Sequence, residues 1–129
     1  MVVSGSVTLR ETASAPHSGL QSLELNGLSP GRISRTFATT PGRSYRIDWY
    51  DASNTNPVCG SGPRTYKLHV TGNSDISVDP NPVLPASAAD YGFNSVTIVA
   101  TATSTDVDFE SRTSLVCGAI IDDVSFTAL

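Results

Sequence analysis

Apolar and polar residues alternate with a period of two through most of the chain, the pattern of strands that place successive side chains on opposite faces. The clearest run is PGRSYRIDWYD, with Tyr45, Ile47 and Trp49 on one side and Arg46, Asp48 and Tyr50 on the other. RTYKLHVTG repeats it, with Tyr66, Leu68 and Val70 inward and Thr65, Lys67 and His69 outward. Shorter in-phase sets are Val7 and Leu9 within Val3 to Glu11, Leu23 and Leu25 in LQSLELNG, and Ile33 and Phe37 in GRISRTFATT. Val96, Ile98 and Ala100 follow in YGFNSVTIVATA, then Val107 and Phe109 in DVDFES, and a closing strand in VCGAIIDDVSFTAL. Ile76–Val78 is a candidate ninth strand.

The breaks between these runs carry strand-stopping chemistry: Ser29-Pro30-Gly31, Pro41-Gly42, Gly72-Asn73 and the proline-rich DPNPVLPAS. Proline cannot donate to a ladder, and glycine tolerates positive φ. No segment sustains a helical period. The expected fold is all-β, a two-sheet antiparallel sandwich of jelly-roll type with eight or nine strands. The chain is 129 residues long and shows no internal repeat or linker, so residues 1–129 read as one domain. Its longest irregular pieces are 51–63 and 79–91, and long loops on a rigid frame often carry function.

Composition narrows the function classes. Only 16% of residues are charged, Lys67 is the sole lysine, and Ser and Thr abound, as in extracellular β proteins. The net charge of −4 with scattered arginines lacks the clustered basic footprint that nucleic acid or anionic lipid requires. No stretch approaches the roughly 20 apolar residues of a membrane span. MVVSGSVTLRE has no long apolar core, so no signal peptide is visible, and an exported form would need a leader outside this sequence. Cys59 and Cys117 lie too far apart, and are too few, for a usual metal site. They are expected to form a disulfide, with two free thiols as the other option.

The closing strand raises a question. Unbroken alternation sets Ile120, Asp122, Val124 and Phe126 on one face, with Ile121, Asp123 and Ser125 on the other. The first set is the more apolar and is expected to face the core. A carboxylate there needs hydrogen bonds or a cation. Asp123 is expected to be an outward, solvated charge.

SGLQSLELNG, SPGRISRTFATTPGRSYRIDWYDASN, VCGSGPRTYKLHVTG and VCGAIIDDVSF together resemble the DUF642 family and the wider galactose-binding-like jelly rolls, several carbohydrate-binding modules among them. The likeness spans residues 5–127. It implies an eight- or nine-stranded jelly roll, a Cys59–Cys117 bridge between a loop and the last strand, and an exported, cell-wall or surface protein. It also implies a structural calcium held by Asp122 and by backbone carbonyls of the segment from His17 through Gly19 to Ser22. Against that stands a purely structural Asp122, accepting backbone N–H groups or paired with Arg35. Two departures are visible. The Asn/Gly-Phe-Glu strand that usually precedes the segment matching GSVTLRE is missing, and Arg35 stands where the pattern usually has Gln. A missing first strand would leave an exposed edge through which a dimer can form.

Sugar recognition needs an aromatic plate and polar groups around a concave site. Arg46, Asp48, Tyr50, Lys67 and His69 project from one side of two strands expected to be neighbours, a candidate polar groove whose plain alternative is a solvated sheet face. Trp49 is expected in the core, and Tyr91 or Phe93 can supply a plate. Asp106, Asp108 and Glu110 alternate outward on one strand, but nothing marks the facing carboxylate pair of a glycosidase. His17 and His69 lie beside no nucleophile motif. The chain therefore reads as a non-enzyme: an extracellular or cell-surface carbohydrate-binding module for wall or matrix polysaccharide. A structural or adhesive domain that binds a wall protein, without sugar affinity, is the alternative.

Overall fold

A computed structural model of the chain describes residues 2–11, 15–19, 21–113 and 116–129. Among the described residues ten strands form: β1 (Val2–Gly5), β2 (Thr8–Glu11), β3 (Gln21–Glu24), β4 (Gly31–Ala38), β5 (Ser44–Ser53), β6 (Tyr66–Val70), β7 (Ile76–Val78), β8 (Gly92–Val99), β9 (Ser104–Ser111) and β10 (Ala119–Ala128). Short 3-10 turns at Pro57–Cys59 and Ala88–Asp90 interrupt the two long loops. The first sheet has the order β1-β4-β9-β6-β7 and the second β2-β3-β10-β5-β8, with every pairing antiparallel. Leu20, at the head of one expected strand, lies outside the described residues.

The expected sandwich forms, and its strand count exceeds eight or nine because the first alternating segment divides. Gly5 adopts φ +65°, and a Cβ there would collide with the Pro30 carbonyl oxygen. The chain turns at this point. β1 pairs with β4 in the first sheet, whereas β2 pairs with β3 in the second.

The inward residues of both sheets meet in one core that includes Leu25, Ile33, Tyr45, Ile47, Trp49, Tyr66, Leu68, Val107, Phe109 and Ile121. Trp49 is a core residue, as expected, and sits edge-on to Phe109 at 5.4 Å. A polar chain runs through this apolar layer. Trp49 Nε1 donates to Tyr66 Oη at 2.6 Å, and Tyr66 Oη donates to Asp51 Oδ2 at 2.6 Å. The Asn81 N–H donates to the other Asp51 oxygen at 3.1 Å. Burial pushes the Asp51 carboxyl above its usual range despite these hydrogen bonds, and burial beside Asp51 pushes the Tyr66 phenol up as well.

One end of the second sheet is tied down. Cys59 and Cys117 are disulfide-bonded, joining the Pro57–Cys59 turn to the approach of β10. Buried Arg64 donates to the carbonyls of Asn54 (2.9 Å), Gly60 (3.1 Å) and Gly62 (2.6 Å), which shapes the loop around Cys59. Buried Glu24 accepts from Arg10 (2.9 Å), Asn54 (3.1 Å) and the Gly118 N–H (3.1 Å). Its charge is thereby both paired and fully hydrogen-bonded.

Candidate functional site

The outward residues of β8, β5 and β10 form a three-by-three grid on the second sheet. Strand register aligns Phe93, Tyr50 and Asp122 in one row, Ser95, Asp48 and Ser125 in the next, and Thr97, Arg46 and Thr127 in the third. The β5 alternation delivers its share as expected: Arg46, Asp48 and Tyr50 out, with Tyr45, Ile47 and Trp49 in.

β10 departs from simple alternation. Its pairing with β5 slips by one residue between Asp122 and Ser125, and Asp123 adopts φ +51°. This is a β-bulge, in which two residues of one strand oppose one of the other. It overturns the expected phase ahead of the bulge, where Ile121 packs into the main core and Asp122 lies on the outer face beside Tyr50, whereas Phe126 beyond it faces the core as expected. Arg35 belongs to β4 in the first sheet and does not pair with it.

What meets Asp122 is backbone. Residues 15–19, between β2 and β3, cross the outer face as a strap. The His17 and Ser18 N–H groups donate to Asp122 Oδ2 at 2.8 and 3.2 Å, and the Asp123 N–H donates to Oδ1 at 2.8 Å. His17 Nδ1 and Ser18 Oγ each lie 2.5 Å from an Asp123 oxygen. Asp123 is therefore engaged rather than a free surface charge. Partial burial works to raise its pKa, but the contacts to Ser18 and His17 win and leave it below the usual carboxylate range. The His17 ring stacks on Tyr50 at 3.6 Å and meets Tyr91 edge-on at 5.6 Å. Tyr91 donates to the Ala15 carbonyl at 2.9 Å, and its phenol is pushed up, chiefly by burial. Gly19 turns the strap at φ +61°, and Ser22 is buried on β3.

This donor set does not fit the calcium that the resemblance implies. A cation needs oxygens turned toward it, whereas three N–H groups point at Asp122. No cluster of three or more His, Cys, Asp or Glu residues suited to a metal occurs among the described residues.

The grid offers one open aromatic plate. Tyr91 is only 8% exposed and Tyr50 has one face under His17, whereas Phe93 is 58% exposed and lies 5.2 Å from Tyr50. Below it, Asp48 accepts from Ser95 Oγ at 2.5 Å and from Arg46 Nε at 2.9 Å. Ser95 and Thr97 were not anticipated as site residues. Their parity with Phe93 along β8 was the available signal.

Lys67 and His69 are not part of this surface. Consecutive strands are usually neighbours, but the loop after β5 carries the chain across to β6 in the first sheet. The groove expected to join them to Arg46, Asp48 and Tyr50 is therefore divided between opposite faces. Around His69 the first sheet carries a charge network. Arg32 Nε meets Asp108 (2.5 Å), Arg32 also meets Glu110 (3.2 Å), and Arg112 meets Glu110 (3.0 Å). His69 lies between Asp75 (2.7 Å) and Glu110 (3.2 Å). The Asp106, Asp108 and Glu110 stripe is thus largely partnered, and Asp108 is buried rather than solvated.

The fold is one that carbohydrate-binding modules use. The chain superposes on TmCBM61 in complex with β-1,4-galactotriose with a TM-score of 0.72 at 15% identity, covering 99% of this chain and 88% of that one. A family 35 carbohydrate-binding module from Clostridium thermocellum gives a TM-score of 0.65 at 16% identity, covering 97% and 89%. The exo-β-1,3-galactanase of Phanerochaete chrysosporium, with β-1,3-galactotriose, matches at a TM-score of 0.62 and 19% identity over 98% of this chain but only 27% of the enzyme. No protein-family model and no curated protein matches this chain. At these identities the likeness is one of fold.

Proposed function

We propose that the protein is a non-catalytic carbohydrate-binding module whose second-sheet grid recognises a polysaccharide of a cell wall or matrix, in an extracellular or cell-surface setting. The observation that carries this reading is Phe93, an exposed aromatic ring held rigidly on a strand and followed by two rows of hydrogen-bonding side chains. Phe93 stacks on the apolar face of a sugar ring, while Asp48, Ser95 and Arg46 meet its hydroxyls. The fold it shares with carbohydrate-binding modules and the disulfide support the setting. The motif likeness to DUF642 domains supports the same reading.

The test is retention on insoluble polysaccharides and on a glycan array. Phe93→Ala is expected to weaken binding at least ~10-fold, as loss of a central aromatic anchor does, with the melting temperature unchanged. Lys67→Ala on the opposite face is expected to bind like the parent. A folded protein that no polysaccharide retains would instead support a domain that binds another protein.

A further inference from the structure

The inward residues of β4 include one arginine. Arg35 shares the phase of Ile33 and Phe37 and stands opposite Val107 of β9, a position that elsewhere in the sandwich is apolar and covered. It is exposed because the second sheet is narrow here. β3 pairs with β10 only at Ile120 and Ile121, and past the bulge β10 has β5 as its sole ladder partner among the described residues. The gap between β4 and β10 is an open slot of about 190 Å³, lined by Ile33, Ser34, Arg35, Phe37, Val107, Phe109 and Val124.

Three properties define what the slot can take. Its walls are mainly apolar, with Ser34 and Arg35 the only polar residues lining it, so a ligand rich in hydroxyls would leave most of them unsatisfied on entry. An apolar cavity of about 150 Å³ takes up benzene, so this volume accepts a substituted ring. At the mouth, the Arg35 guanidinium is held over the Phe37 ring at 5.0 Å, and no carboxylate of the described residues pairs with it. Arg32, Arg46 and Arg112 all have acidic partners, in a chain whose net charge is −4. An arginine left without a counter-charge beside an apolar slot complements a small anion with an apolar body.

We propose that the inter-sheet slot between β4 and β10 binds an aromatic monocarboxylate, with the ring between Phe37, Phe109 and Val124 and the carboxylate on Arg35. This site is separate from the sugar-binding grid and does not depend on it.

Phenylacetate and its neutral isostere phenylacetamide are the probes, titrated at millimolar concentration into the full chain and followed by amide chemical shifts. Phenylacetate is expected to give saturable shifts confined to β4, β9 and the β10 bulge. Arg35→Gln is expected to weaken it ~10-fold, the usual worth of a hydrogen bond to a charged group, and Val124→Phe to block it by filling the slot. Phenylacetamide should bind about as weakly to the parent as phenylacetate does to Arg35→Gln. Absence of saturable shifts with phenylacetate would overturn the proposal. So would equal affinity for both probes that Arg35→Gln leaves unchanged, since the slot would then be an unselective apolar void.

Discussion

The two outer faces of the sandwich are built from the same alternating strands and differ in almost every other respect. The second-sheet face carries Phe93, Tyr50, Tyr91 and His17, with a loop strapped across one end. Outward positions of β4, β6 and β9 on the first-sheet face carry no Phe, Tyr or Trp. Arg32, His69, Asp108 and Glu110 pair with their cross-strand neighbours there. One face offers a ring surface beside hydrogen-bonding groups whose other capacity is free. The other has spent most of its charges on each other. Polarity alone therefore does not mark a binding surface. An open group such as Phe93 is what distinguishes the proposed sugar-binding face from the other.

Mechanical support divides in the same way. The disulfide, the Arg64 loop and the Glu24 cluster all secure the end of the second sheet. Reducing Cys59–Cys117 is expected to have the largest effect, about 4 kcal/mol in the chain-entropy account. It is read as a lower melting temperature and as faster amide exchange in β10 and β5 before β6 and β9. Equal acceleration in both sheets would erase the asymmetry. Asp122→Ala should be next, at roughly 1–3 kcal/mol, because three N–H donors lose their acceptor. Calcium or a chelator is expected to leave the parent's melt unchanged, and a calcium-dependent melt would show that an ion takes the place of those donors.

The smallest effect belongs to the first-sheet face. Desolvation lowers the pKa of His69, but its contacts to Asp75 and Glu110 outweigh this and raise it, while both carboxyls are held below their usual values. The histidine's contribution is complete below its unfolded value of about 6.5 and disappears as pH rises through the higher folded value. The carboxylate contributions are complete above about 4.5 and fade as pH falls through the depressed folded values. The parent should thus lose ~1–2 °C of melting temperature on going from mildly acidic to alkaline buffer, in keeping with exposed ion pairs. His69→Gln should flatten that slope.

Alternation made the strands legible, including the short β7 and the core placement of Trp49. It failed where geometry depends on more than parity. A bulge inserts one residue, so a face assignment that holds for Ser125 and Phe126 after it is inverted for Ile121 and Asp122 before it, by a feature that leaves the apolar pattern intact. The paired aspartates were the available clue, since Asp is poor in strands and tolerates the left-handed region. Sheet membership was equally hidden. Nothing in the spacing of Tyr50 and Lys67 says that the intervening loop changes layers. Phe93 was visible as a candidate plate, but that it rather than Tyr50 is the open ring depends on His17 covering Tyr50, a contact between residues far apart in sequence.

The Trp49–Tyr66–Asp51 chain has a further consequence. Trp49 and Asp51 belong to one layer and Tyr66 to the other. Greasy contacts alone would let the layers shear by a pleat at modest cost, but such a slip would strand a carboxylate, a phenol and an indole N–H in a dry interior. These three groups act as an alignment pin, fixing where one layer sits over the other and, with it, the spacing of everything displayed outside.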